Sequence, residues 1–461
     1  MQRLLAIAWL TWKAAFRFRL FLVIAALLLA AVVGLPILIK DDGTARGFTQ
    51  ILLTYTLSVI TALLGLSTLW LSCGTLARDI EECQIQMVAT KPIARWQIWL
   101  GKWIGIMSLN AALLALSGAC VYGLLQWRAA RLPAAEQAVL RTQVLVARGS
   151  AKEPVDNAAI DAETERILQG RLKSNPVEKP DVPEVRRQIR ELVRADFQLV
   201  PPGYSRQWQI DLGFARNFLR DKPLQLRIKF NSAQKSASGT FVALWQVGVP
   251  DTAKVWRSEP MSLAPDTFHE FQIPPNLFDD HGVLTVIFVN PNDTSLLFPL
   301  EEGMEVLYPE GGFALNFVRG LGIIFCWMAV LAALGLAAAS FLTFPVAAFF
   351  SLAVVAVVLS SSTLAEAVAA GTVAGGNGES GVMGHSPLDM VLIPLFKGLL
   401  TAINLVKNFS PIDSLSSGRS ISWTALGTAF GQIVLLLGGI IGGIGIILFN
   451  RRELATAQGN Q

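Results

Sequence analysis

The run FTQILLTYTLSVITALLGLSTLWLSC, from Phe48 to Cys73, carries no charged side chain and stops just short of Arg78-Asp79. A hydrocarbon core about 30 Å thick takes about 20 apolar residues in helical form, so this run is long enough to cross one. A helix is the expected form, because in lipid each backbone polar group must find its partner within the protein.

Outward from this run the same texture repeats. Leu20–Ile39 precedes it and ends at Lys40-Asp41-Asp42-Gly43. Further stretches run from Trp103 to Leu125, Phe313 to Leu336, Phe341 to Leu359 and Trp423 to Phe449, with a short turn near Phe344-Pro345 and a closing Asn450-Arg451-Arg452-Glu453. Six spans are expected. Of the 461 residues, 52% are hydrophobic, and the mean hydropathy of +0.49 is high for a chain whose whole surface must be wetted. Most charged residues crowd between Arg128 and Glu310. The chain therefore divides into an N-terminal membrane half (1–125), an inserted domain of ordinary soluble composition (126–312) and a C-terminal membrane half (313–461). The formal net charge of +4 argues against a nucleic-acid partner.

Leu4, Ala8, Trp12 and Phe16 recur at helical spacing, with Lys13 and Arg17 on another face. This predicts an amphipathic helix in the bilayer interface, where indoles and basic stems settle. No cleavable signal peptide is expected, because basic and aromatic residues interrupt the apolar start. Arg3, Lys13, Arg17 and Arg19 before the first span, and Arg451 and Arg452 after the last, place both termini in the cytoplasm. Residues 78–102 are then cytoplasmic and the inserted domain is extracytoplasmic.

Residues 388–409 are apolar enough to resemble a seventh span. Lys397, Thr401, Asn404 and Asn408 nevertheless fall at i, i+4, i+7 and i+11, one polar stripe along a helix. This predicts an amphipathic, surface-lying or re-entrant segment on the outer side. Glu366, just past the fifth span, sits either at membrane depth or at the outer interface. Gly427/Gly431, Gly438/Gly442 and Gly439/Gly443 stand at the spacing that lets helices approach closely, within one subunit or between two.

The inserted domain has two textures. Residues 126–200 read as helical, with Leu132–Phe197 broken at Pro154, Pro176, Pro180 and Pro183. Residues 204–310 alternate: the runs starting at Trp208, Leu224, Phe241 and Val283 are strand-like, with Pro, Gly, Asn and Asp between them. An α+β domain ending in a β-sandwich follows, faintly similar in pattern to jelly-roll carbohydrate-binding modules. Trp245 and Trp256 are candidates for stacking on a glycan, although alternation alone assigns such residues to the core as readily.

Cys73, Cys83, Cys120 and Cys326 lie in or beside apolar blocks, so no disulfide framework holds the inserted domain. His269, His281 and His385 make no metal-ligand spacing, and no metal or other cofactor is expected. His269-Glu270 lacks the second histidine of a metalloprotease, and no nucleophile motif occurs, so no catalytic residue is assigned.

The stretch LARDIEECQIQMVATKPIARWQIWLGK, Leu76 to Lys102, carries the functional reading. Charges begin just past the second span. Ile80, Gln84, Met87 and Val88 predict a short helical face, and Lys91-Pro92 ends it because a residue before proline is pushed out of α geometry. Arg95 and Trp96 re-anchor the chain, and Gly101-Lys102 opens the third span. A short charged helix tethered by two spans is suited to transmit force from a cytoplasmic partner.

This run resembles the cytoplasmic loop of ATP-binding-cassette type 2 permeases, especially the copper-maturation and gliding-motility permease subgroup. There an acidic pair precedes the coupling helix, and a Pro-x-x-Arg-aromatic element leads into Gly-Lys; Glu81, Glu82, Pro92, Arg95, Trp96, Gly101 and Lys102 match those places. A glycine is common where Cys83 stands. Pro411-Ile-Asp413 before the last span and Arg451-Arg452-Glu453-Leu454 after it are similar to the family's close. The resemblance covers about Met1–Leu125 and Phe313–Leu454.

The resemblance implies a permease subunit, probably of an exporter, in a bacterial inner (plasma) membrane, acting as a homodimer or paired permease. It also implies a separate cytoplasmic ATPase, coupled through Arg78, Asp79, Glu81, Glu82, Lys91, Pro92, Arg95 and Trp96. Gly101-Lys102 lacks the upstream glycine of a phosphate-cradling loop, so ATP hydrolysis belongs to the partner. The alternative is a membrane-anchored scaffold whose extracytoplasmic domain binds a glycan or protein without transport.

Overall fold

The computed structural model describes residues 2–17, 20–38, 44–82, 93–174, 182–232, 234, 236, 238–250, 252, 254–371 and 388–452. The chain forms two compact units, Met1–Ala147 with Gly311–Gln461, and Arg148–Glu310. In chain order the helices are α1 (Gln2–Arg17), α2 (Leu20–Leu38), α3 (Ala45–Glu81), α4 (Arg95–Ala129), α5 (Asn157–Ser174), α6 (Val182–Asp196), α7 (Phe313–Ala339), α8 (Phe344–Leu359), α9 (Ser361–Ala370), α10 (Asp389–Lys407) and α11 (Trp423–Arg451). The turns of α11 are π-type over Phe430–Gly438. Shorter turns are named by their residues.

In the first unit, α7 packs against α3, α4, α8 and α11. It can do so because its buried side chains are mostly small: Ala329, Ala332, Ala333, Gly335 and Ala338 lie inside. A side chain at Gly335 would run into Ser72 and Cys73 of α3, and one at Gly118 of α4 would meet Leu321 of α7. On α3, Leu53, Leu57, Ile60 and Leu64 are buried at helical spacing. The buried hydroxyls of Thr56 and Thr68 donate to carbonyls one turn back, Leu52 O (2.7 Å) and Leu64 O (2.6 Å), so neither is left bare in an apolar interior.

α1 is amphipathic, but it lies against α4 with its Ile7, Ala8, Thr11 and Ala15 buried. A Cβ at Gly101 or Gly105 would come within 2.8 Å of Ile7 or 2.7 Å of Thr11, and Trp12 Nε1 donates to Ser108 Oγ at 2.7 Å. Leu5, Trp9 and Leu10 are left exposed, the face available to lipid.

By length and composition, five helical stretches among the described residues suffice to cross a membrane: α3, α4, α7, α10 with its continuation to Ser416, and α11. The α8–α9 pair, bent by 59° at Ser360, makes a sixth if it counts as one. Two expectations change. The described apolar part of α2, Leu22–Leu35, is shorter than a full span, whereas α10 passes the test that its polar stripe argued against. Lys397, Thr401, Asn404 and Asn408 do share one exposed line on α10 and its end, while Met390, Val391 and Leu395 are exposed elsewhere on it. Glu366 on α9 is exposed.

The second unit is mixed α and β. The four predicted runs all form strands: β3 (Ser205–Asp211), β4 (Leu224–Ile228), β6 (Phe241–Gly248) and β10 (Val283–Val289). With β1 (Val146–Ala151), β9 (His269–Ile273) and β12 (Met304–Gly312), β4 belongs to a sheet ordered β1-β12-β4-β9. A second sheet is ordered β3-β10-β6-β7, with β7 at Val255–Arg257 and β8 (Met261–Leu263) also paired to β6. Two-residue strands β2 (Leu199–Val200), β5 (Asn231–Ser232) and β11 (Leu296–Leu297) make a third. The strands thus form three sheets and not one closed sandwich, because several are too short to extend either larger sheet. Alternation still decides the inside: Leu224, Leu226 and Ile228 join Trp208, Ile210, Trp245 and Phe288 in one core.

Trp245 is 2% exposed and packs on Phe288 at 4.9 Å, so it is a core residue and no glycan platform. Trp256 is half-buried and stacks on Phe271 at 6.3 Å. Val146–Ala151, expected to be helical, is a strand; pairing with β12 overrides the helix preference of its alanines. α5 and α6 bury Ile160, Leu168, Ile189 and Val193 between them. Pro183 sits in the first turn of α6, where a missing N–H costs nothing; Pro176 and Pro180 lie outside the described residues. On the β1-β12-β4-β9 sheet, Arg227 bridges Glu305 (3.1 Å) and Glu270 (3.7 Å), and Arg148 bridges Glu270 (3.0 Å).

Candidate functional site

Arg78, Asp79 and Glu81 do not belong to a separate short helix. They form the last turns of α3, which runs unbroken past Cys73 to Glu81. No proline interrupts this stretch, and a helix need not end where hydrocarbon ends. Arg95 and Trp96 likewise open α4, so Gly101-Lys102 lies two turns inside a helix and does not begin one. Only residues 82–94 connect the two. Cys83, Gln84, Met87, Val88, Lys91 and Pro92 lie outside the described residues.

The charged residues flanking this connection tie it to other helices. Lys102 is 7% exposed, and its Nζ donates to Asp79 Oδ2 and to Thr75 O (2.7 Å), both on α3. The pair straps α4 to α3 just inside the loop.

Glu81 works across a sequence separation of hundreds of residues. Its Oε1 accepts from the backbone N–H of Phe344 at 2.8 Å, in the first turn of α8. The natural cap there, Thr343, makes no side-chain bond, so Glu81 supplies the missing acceptor and sits where the helix dipole favours an anion. Arg78 and Trp70 complete the grip. The Arg78 guanidinium lies 4.5 Å from the Phe344 ring centroid, and the Trp70 indole meets that ring edge-on at 5.1 Å.

Arg95 caps the opposite kind of end. Its Nη1 donates to Phe449 O (3.0 Å), Asn450 O (2.8 Å) and Arg452 O (2.8 Å), the orphan carbonyls that close α11. Arg452 passes the pattern on, donating at 3.3 Å to Ala339 O and Ser340 O where α7 ends. One turn along α4 from Arg95, Trp99 is 3% exposed. A Cβ at Gly442 of α11 would come 2.9 Å from its ring. Gly442 and Gly445 therefore serve packing inside the subunit, whereas Gly427, Gly431, Gly439 and Gly443 face open space. Trp96 is 45% exposed, and the Glu82 N–H closes α3 by donating to Arg78 O at 2.8 Å.

The result is a seam at which the ends of α3, α4, α7, α8 and α11 are held together by side chains flanking one loop. Sequence reading identified Arg78, Asp79, Glu81 and Arg95. It missed that Lys102 pairs with Asp79, although a lysine inside an apolar run is itself a signal that a partner is near. It also missed Phe344 and Arg452, whose roles depend on which helices meet.

The seam offers mechanical coupling and no bond chemistry. Among the described residues no three His, Cys, Asp or Glu side chains could hold a metal. Glu270, beside His269, is engaged by Arg148, and His269 Nε2 lies 2.7 Å from Ala264 O, so this dipeptide is structural. No family model matches the chain, and no curated protein or solved structure matches it either.

Proposed function

We propose that this polytopic membrane protein is the permease subunit of an ATP-driven exporter, and that a separate cytoplasmic ATPase docks on residues 82–94 and the helix ends beside them. In this reading the chain crosses the membrane six times with both termini inside, the Arg148–Glu310 unit lies outside, and two permease chains pair. One observation carries the proposal: Glu81, Arg95 and Lys102 tie the loop's flanks to the ends of α8, α11 and α3. A push on the loop is then shared by several helices at once, which is what a coupling element must achieve.

The test is affinity purification of the full-length chain from its native membranes. The expected result is co-purification of a nucleotide-hydrolysing chain in stoichiometric amount, lost or uncoupled in Glu81→Lys and Arg95→Glu. Because both residues also cap helices, each variant is first checked for an unchanged elution profile, with Trp96→Ala as a variant of an exposed side chain. Wild-type protein that brings no ATPase, and only a glycan or protein held by the inserted unit, would replace the transporter with an anchored scaffold.

A further inference from the structure

We propose that Arg319 and Trp423 form a binding site for the phosphate group of an anionic membrane lipid. The inference does not depend on transport. It begins from a buried cation. Arg319 is 9% exposed on α7, and its Nε donates to Leu315 O at 3.3 Å, one turn back. Its guanidinium carbon lies 5.4 Å from the centroid of the Trp423 ring. No carboxylate among the described residues pairs with it. A charge so withdrawn from solvent is costly unless a counter-ion completes it.

The depth of the site points to a lipid headgroup. Along α4, the residues Trp103, Gly118 and Tyr122 meet Ala329, Leu321 and Phe313 of α7 in turn, so the two helices run antiparallel. Arg319 therefore shares one end of the unit with Arg128 and Arg131, which lie over the rings of Phe48 (3.5 Å) and Trp127 (3.8 Å). Cations laid on aromatic rings at helix ends mark the membrane–water interface. The bond from Arg319 Nε to Leu315 O turns the side chain toward that end of α7, the direction of a snorkelling arginine.

The site is also built. Asn316, one turn before Arg319, donates from Nδ2 to Arg419 O (2.7 Å) and accepts at Oδ1 from Ile421 N (2.7 Å), fixing the turn that leads into Trp423. Gly418 makes that turn at φ +71°, and Gly320 leaves room for Leu415 and Ile421 to close on α7. Beside the indole, the hydroxyls of Ser422 and Thr424 lie 2.7 Å apart. A guanidinium fork flanked by hydroxyls suits phosphate oxygens. A headgroup that adds its own ammonium would set a second cation beside Arg319, so phosphatidylglycerol is favoured over phosphatidylcholine.

The test is native mass spectrometry of the full-length protein titrated with these two lipids bearing identical acyl chains. Wild type is expected to retain phosphatidylglycerol about tenfold better, or ~1.4 kcal/mol. Arg319→Gln should bring the ratio near one, and Trp423→Ala should lower it several-fold. Arg319→Lys, which keeps the charge, should retain part of it and serves where Arg319→Gln fails to fold. Equal retention by wild type, or an unchanged ratio in both Arg319→Gln and Trp423→Ala, would overturn the proposal. Displacement of the lipid by inorganic phosphate would overturn the lipid source and leave a free-anion site.

Discussion

Lys102 shows what a charged side chain does once a helix carries it inward: it reaches back to Asp79 and to the Thr75 carbonyl. Breaking a buried pair strands the other charge at a cost of about 3–5 kcal/mol, and the 37% exposure of the Asp79 side chain reduces this to about 1–3 kcal/mol for Asp79→Ala. Adding Lys102→Met to that variant should recover part of the loss, which thermal unfolding of the purified protein would measure. Glycines give a second contrast at this scale. Gly335→Ala forces a Cβ into Ser72 and should cost about 1–3 kcal/mol by overpacking. Gly427→Ala meets nothing within 4 Å, and in a helix interior it should gain about 0.5–1 kcal/mol. Neither outcome is legible in the sequence, where both residues are glycines in apolar runs. What separates them is which neighbour the helix happens to meet.

Helices were the most legible elements and their ends the least. Uncharged runs fixed the existence of α3, α4, α7, α8 and α11, because hydrocarbon leaves the backbone no other local solution. Their ends depend on capping partners from distant segments. The Glu81 cap on α8 joins residues 263 positions apart, so no local pattern could announce it. Glu81→Ala should weaken the first turn of α8 by about 0.5–2 kcal/mol, read as faster hydrogen exchange at Phe344, while Glu81→Gln keeps an acceptor and should change it less. The strands divide the same way. Period-2 alternation placed Trp245 and Leu226 on inward faces, but β1 was invisible because Val146–Ala151 has no alternation and becomes a strand only against β12.

At the scale of the molecule, the composition break near Arg128 and Gly312 marks an inserted domain, and the compact unit Arg148–Glu310 lies within it. That unit contains no cysteine and has its own core, so a fragment bounded at those residues should unfold cooperatively without reductant or metal, as followed by circular dichroism. Non-cooperative melting would mean that its core depends on the membrane unit.

The account turns on which side of the membrane the Glu82–Ala94 connection faces. The most direct measurement uses the full chain with Cys73, Cys120 and Cys326 replaced by serine, leaving Cys83 as the single thiol. A membrane-impermeant maleimide is then offered to right-side-out and inverted vesicles. Labelling of Cys83 in inverted vesicles alone is the predicted result. Labelling in right-side-out vesicles alone would place the loop outside the cell, beyond the reach of any ATPase, and contradict the coupling role.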